Sequence, residues 1–145
     1  MLCSVQWRIQ DKCYAGADPV EAAKMDMLVD GFTDFRTDWV RPIIRAKLFD
    51  KDPEKLAAAE KAIVEPMKLF LDRYEAFLKN NNTGYLVGAK LSWADLVVAE
   101  GLDQLQSYLL PHCLQGHPQL QQHLKRVMDT PKIKQYIAER PQTPM

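Results

Sequence analysis

Asp26, Asp30, Asp34 and Asp38 recur every four residues, a spacing that stacks four carboxylates along one face of an α-helix. Each like-charged pair costs an isolated helix roughly 0.2–0.5 kcal/mol. One reading is a solvated face neutralised by Lys24, Arg36 and Arg41; the other is a stripe that awaits a cation, either a ligand ammonium or a basic surface. A second cluster, His112, Cys113, His117 and His123, has the atoms of a metal site but not the spacing of a standard zinc pattern. Pro111, Gly116 and Pro118 make that segment a turn, so no metal site is read there. Cys113 is read as an ordinary thiol, because closeness in sequence to a histidine does not set the geometry a nucleophile needs. The third constellation is Ser92 and Asp95, three residues apart, as in a capping box where an N-cap hydroxyl meets the N3 amide and the N3 side chain reaches back. No glycine-rich phosphate loop and no Ser-His-Asp arrangement is recognisable.

These groups sit on segments with helical signatures. Asp18-Pro19-Val20-Glu21 supplies an N-cap, a proline at the first helical position and an acid in the first turn. Met25, Leu28, Val29, Phe32, Phe35 and Trp39 then recur at near-helical spacing, and Pro42 is expected to kink or end this long first helix. Asp52-Pro53-Glu54 opens a second helix with its buried face on Leu56, Ile63, Met67, Phe70, Leu71, Tyr74, Phe77 and Leu78, and with a bend expected at Pro66. Asn80 to Gly84 is turn chemistry. From Ser92 a helix continues through an almost unbroken apolar run, Leu96 to Ala99 and on to Leu102 and Leu105, which reads as buried nearly all round; Leu91 and Leu96 hold the positions of a hydrophobic staple. His117-Pro118 and Thr130-Pro131 open two further helices. With no strand-like alternation longer than a few residues, the chain reads as all-α, a bundle of about five helices.

The 145 residues are enough for one domain with a real core. An apolar content of 47% with 26% charged residues excludes the disordered and fibrous classes. Zero formal net charge argues against electrostatic binding to nucleic acid or an anionic membrane, and no run approaches the roughly 20 apolar residues of a membrane span. The first residues lack a secretory signal pattern. Cys3, Cys13 and Cys113 are an odd count without motif spacing, which suits a reducing cytoplasm.

The segment Leu86-Val87-Gly88 followed by Leu91-Ser92-Trp93-Ala94-Asp95 resembles the N-capping-box segment that opens the central helix in the C-terminal domain of cytosolic glutathione transferases. Together with Met27 to Arg36, Thr130 to Ile133 and Arg140-Pro141-Gln142-Thr143-Pro144, it most resembles the sigma class, which includes nematode enzymes and prostaglandin D synthases. The resemblance covers residues 14–145 and leaves 1–13 as a segment outside the family. It implies a lineage that transfers the thiolate of glutathione to hydrophobic electrophiles or isomerises a prostaglandin endoperoxide. It also implies a homodimer in which Asp34 reaches the α-amino group of glutathione held by the other subunit, and a hydrophobic pocket walled by Arg36, Arg41, Val97, Gly101 and Met145. Read from the residues alone, Val97 is core filling, Gly101 a close helix contact, and the arginines surface ion-pair partners. Some sigma members bind a divalent metal at positions matching Asp30, Thr33 and Asp34, but Thr33 departs from the acidic pattern, so no metal is expected.

The family activates the thiol with a hydroxyl in an N-terminal thioredoxin-like domain, and nothing in this sequence resembles that domain. Tyr14, Tyr74, Tyr85, Tyr108 and Tyr136 lie in the helical half or just before it, so no catalytic residue is assigned. The expectation is therefore the helical half of such an enzyme, nearly inactive by itself, from a truncated gene model, an alternative transcript or a fragment, with glutathione as co-substrate and no bound cofactor. The alternatives are a non-catalytic helical interaction module, whose outer surface should be polar, and a small helical carrier of hydrophobic ligands that ignores glutathione.

Overall fold

The computed structural model describes Tyr14 and residues 16–141; the 1–13 segment and Met145 named above lie outside the described residues. The fold is all-helical. Its α-helices are α1 (Pro19–Phe35), α2 (Arg41–Ile44), α3 (Pro53–Ala62), α4 (Val64–Asn81), α5 (Trp93–Gln104), α6 (Pro118–Met128) and α7 (Pro131–Glu139). Wider π-helical turns at Arg36–Val40, Arg45–Asp50 and Leu105–Leu109 extend them, so among the described residues the backbone runs in five helical stretches: 19–50, 53–81, 93–109, 118–128 and 131–139.

The stretches start where the cap chemistry predicts. Asp18 accepts hydrogen bonds from the amides of Val20 at 2.8 Å and Glu21 at 2.9 Å, while Glu21 reaches back to the Ala17 amide at 2.8 Å. Asp52 accepts from the amides of Glu54 and Lys55, and Lys51 just before it adopts the left-handed conformation that closes the preceding stretch.

The interior prolines act through the turns around them. Pro42 does not end the first stretch. The turn just before it widens to π geometry, with the Arg41 amide donating to the Arg36 carbonyl five residues back, which gives the proline ring room and lets the helix resume. Pro66 does not mark the bend either. The break lies at Ile63, and Pro66 falls in the first turn of α4, where a missing N–H costs nothing.

The core lies between α1, α4, α5 and α6. Phe35 stacks on Phe70 at 4.2 Å between ring centres, and Phe32 and Tyr74 flank the same ring. Ile43, Leu71, Val98, Leu102 and Leu120 are fully buried around them. Tyr74 donates its hydroxyl to the Leu28 carbonyl, joining α4 to α1, and burial pushes this phenol well above its ordinary value.

Helix α5 is not buried all round. Ala94, Val98, Ala99, Gly101 and Leu102 are buried, but Leu96 and Val97 are half-buried and Glu100 is exposed, so the apolar run turns one flank outward. Gly101 sets how closely α5 meets α1: a methyl group added there would overlap the Phe32 ring. Gly101→Ala is therefore expected to lower stability by about 1–3 kcal/mol, read as a drop in Tm, and Phe32→Leu in the same chain should return part of the loss. A neutral Gly101→Ala would show that the helices can part without penalty.

Candidate functional site

The organising centre of the site is the start of α5. Ser92 is its N-cap, and the capping box is complete: the Ser92 hydroxyl accepts from the Asp95 amide, and Asp95 Oδ2 accepts from the Ser92 amide at 2.8 Å. The Ser92 hydroxyl also donates to Asp95 Oδ2 at 2.6 Å. The other carboxylate oxygen accepts from the Leu86 amide at 2.8 Å and pairs with His123 Nε2 at 2.8 Å. Asp95 and His123 are completely enclosed, at 0% and 1% exposure. Burial alone would push the Asp95 carboxyl up, but the hydrogen bonds from His123, Ser92 and Leu86 outweigh it and hold the group below its ordinary value.

With α5 fixed at this end, its outward flank becomes the floor of an open groove of about 880 Å³. Leu96, Val97, Glu100, Asp103 and Gln104 line it from α5, Tyr108 from the following π turn and Arg36 from the end of α1. The far wall comes from the end of α6 and from α7, with Ile133, Tyr136, Ile137 and Arg140. The Gln104 amide donates to the Glu100 carboxylate along the floor. A cleft of this size, in which apolar side chains alternate with charged and polar ones, is suited to a small molecule with both hydrophobic and polar parts.

The sequence-predicted residues divide as follows. Arg36 and Val97 lie on the groove wall. Gly101 lines a separate crevice of about 20 Å³ between α1, α2 and α5, which Arg36 also borders. Arg41 is exposed and borders neither cavity. Asp34 is exposed on α1, as are Asp26 and Asp30, and Asp38 is exposed on the π turn that follows. Among the described residues none of these four carboxylates forms an ion pair within 4.0 Å, so contact neutralisation by Lys24, Arg36 and Arg41 does not occur. The Thr33 hydroxyl donates to the Val29 carbonyl of its own helix at 2.8 Å.

The histidine and cysteine cluster does not converge. His123 faces Asp95, His117 pairs with Asp72 of α4 at 3.0 Å, His112 is exposed, and burial pushes the Cys113 thiol up, away from the reactive thiolate. Among the described residues no group of three or more metal-ligating side chains is assembled.

Some of the site was absent from the sequence reading. Tyr108, Tyr136, Ile133, Ile137 and Arg140 were not picked out for the groove, although Val97, Glu100, Gln104 and Tyr108 recur at the spacing of one helix face. The His123–Asp95 pair and the capping of α6 by Glu75, which accepts from the amides of Gln119 and Leu120 at 3.1 and 2.9 Å, span 28 and 44–45 residues and leave no local signal.

Comparison with known proteins places this geometry. The family model "Glutathione S-transferase, C-terminal domain" matches residues 37–140. The chain belongs to that family. Glutathione S-transferase 1 of Ascaris suum is 36% identical over 130 residues, covering 90% of this chain and 62% of the relative. The crystal structure of a monomeric glutathione S-transferase from the hookworm Necator americanus superposes with a TM-score of 0.81 at 30% identity, covering 91% of this chain and 63% of that one. A prostaglandin synthase D of Nilaparvata lugens aligns with a TM-score of 0.78 at 26% identity, covering 88% of this chain and 61% of that one. The chain thus spans a little over three fifths of the length of these relatives. Its helices match the family's C-terminal half, and the capping box at Ser92 and Asp95 is formed as the resemblance implied.

The buried carboxylate gives this glutathione S-transferase domain a defined acid sensitivity. Because Asp95 is held below its ordinary value, its contribution is fully present above the unfolded-chain value near pH ~4 and is lost as pH falls through the lower folded value. The urea midpoint should therefore carry a downward limb below about pH 4. Asp95→Asn should cost about 3 kcal/mol at pH 7 by removing the charge that His123 and the two amides address, and should flatten that limb. An unchanged acid limb in Asp95→Asn would assign the acid sensitivity elsewhere.

Proposed function

We propose that this chain is the helical half of a sigma-class glutathione transferase that conjugates the thiolate of glutathione to hydrophobic electrophiles. The groove along α5 carries the reading: about 880 Å³, floored by Leu96 and Val97 and flanked by Arg36, it offers an apolar bed to the electrophile. Its similarity to a prostaglandin synthase D supports prostaglandin endoperoxides as one electrophile class for the same bed. Asp34, exposed and without an ion pair among the described residues, is available to the α-amino group of glutathione bound by the partner in a homodimer. The remaining proposed wall positions are Arg41, Gly101 and Met145, and a cytoplasmic location suits a thiol co-substrate.

The 145 residues by themselves turn over little in this scheme. Tyr74 commits its hydroxyl to the Leu28 carbonyl and burial disfavours its ionised form, and Tyr85 lies under the Arg126 guanidinium. The thiol-activating hydroxyl then comes from a thioredoxin-like domain. Apolar side chains standing exposed on α1, such as Val20 and Met27, and on α4, such as Val64 and Leu69, fit a unit that packs against further protein better than a free interaction module with a polar surface.

Glutathione conjugation of a generic aromatic electrophile should be near background for the purified chain and appear when a sigma-class thioredoxin-like domain is fused before Tyr14. In the fusion, Asp34→Ala should raise the KM for glutathione about tenfold, the worth of one charge-assisted hydrogen bond. Turnover by the unfused chain would sink the half-enzyme assignment, and silence in both would favour the non-catalytic module.

A further inference from the structure

From Gln104 to Met128 the chain contains neither Asp nor Glu, although over the whole sequence acids and bases are equal in number at 19 each. The same stretch holds His112, His117, His123, Lys125 and Arg126. The fold gathers part of it around a second cavity of about 460 Å³ at the junction between the end of the 93–109 stretch and α6. Its polar lining is His112, Lys125 and the amides Gln106, Gln115 and Gln121, with Leu114 and Leu124 between them. None of these residues lines the groove along α5.

The donors are placed independently of one another. Gln121 and Lys125 lie one turn apart on α6, and Gln121 is tied by its side-chain amide to the Leu114 carbonyl at 2.8 Å. His112 sits at φ +73°, left-handed backbone that costs a non-glycine residue of order 1 kcal/mol. Its carbonyl accepts from the Gln115 amide at 2.9 Å, which pins the turn that projects His112 at the rim. Lys125 has no ion-pair partner among the described residues.

Asp103, one turn before Gln106, lines the groove along α5 instead, Asp129, one turn beyond Lys125, pairs with Lys134 at 3.0 Å, and the acids of α4 that reach α6 are engaged elsewhere. Asp72 is taken by Lys68 and His117 and Glu75 by the α6 amides and Lys79. Both belong to α4, and no α4 residue lines this cavity. A recess lined by an unpaired ammonium, an imidazole and three carboxamides, and by no carboxylate, favours a ligand that brings its own negative charge and many acceptor oxygens.

We infer that this cavity is a binding site for a compact, multiply charged oxyanion of the phosphoryl type, with Lys125 as its principal charge and His112 and the glutamine amides as directing donors. The site does not rest on the conjugation reading.

The test is a titration of the isotope-labelled 145-residue chain with inorganic pyrophosphate, followed by two-dimensional amide NMR, with acetate at matched ionic strength as the singly charged comparison. Saturable shifts confined to the neighbourhood of Gln106, His112 to Gln115, Gln121 and Lys125, absent with acetate, are the expected result. Lys125→Gln should weaken pyrophosphate about fivefold, the worth of one exposed charge contact, and Lys125→Arg should retain it. Equal affinity in Lys125→Gln and the parent chain, or shifts that never saturate and spread over all exposed lysines, would overturn the site. Both variants alter one exposed side chain, and an unchanged amide pattern without ligand confirms that each is folded.

Discussion

A single buried carboxylate holds together the parts of this domain that matter most. Asp95 is fully enclosed, and an ionised acid in such a place survives only if its lone pairs are met by donors. Its four come from three segments: the Ser92 amide and hydroxyl at the start of α5, the Leu86 amide from the preceding loop and the His123 ring from α6. The requirement to satisfy one charge thus fixes the entry angle of the central helix, the course of the 82–92 loop and the seat of α6. Glu75 repeats the device from the other side, placing a buried carboxylate of α4 on the amides at the α6 N-terminus, where the helix dipole favours negative charge.

The groove follows from this anchoring. α5 packs on α1 through its small residues, with Gly101 against Phe32, and on α6 through the Asp95–His123 pair. Among the described residues its remaining flank has no helix over it, so Leu96 and Val97 look into a cleft whose far wall is the end of α6 and α7. Closeness on one side and openness on the other are two results of the same placement. The π turns belong to the same economy of space. One relieves the clash ahead of Pro42 and lets the helix resume, and another carries Tyr108 to the groove where the 93–109 stretch ends.

Much of the fold was legible in the residues because its signals are local. Asp18-Pro19, Asp52-Pro53, His117-Pro118 and Thr130-Pro131 opened helices where their chemistry predicts, and the Ser92 and Asp95 spacing foretold a capping box that the structure completes. Whether a proline inside a helical pattern ends the helix is not legible in the residues, because its effect depends on neighbours that can shift. A π turn absorbs Pro42, and a break at Ile63 turns Pro66 into a first-turn residue. The burial of α5 was overestimated for a related reason: composition shows that Leu96 and Val97 are apolar, but not whether another helix covers them.

The sequence by itself determined the helices, their starts, the all-α class and the family, since caps, turns and apolar periods act over a few residues and are written contiguously. Only the tertiary structure decided that Asp95 meets His123, that Glu75 caps α6, that the histidines part company, and that residues from α1, α5 and α7 share one groove. Those contacts join positions tens of residues apart, and which of the many possible partners meet is settled by how the packed helices satisfy buried charge and fill space, which no local pattern records.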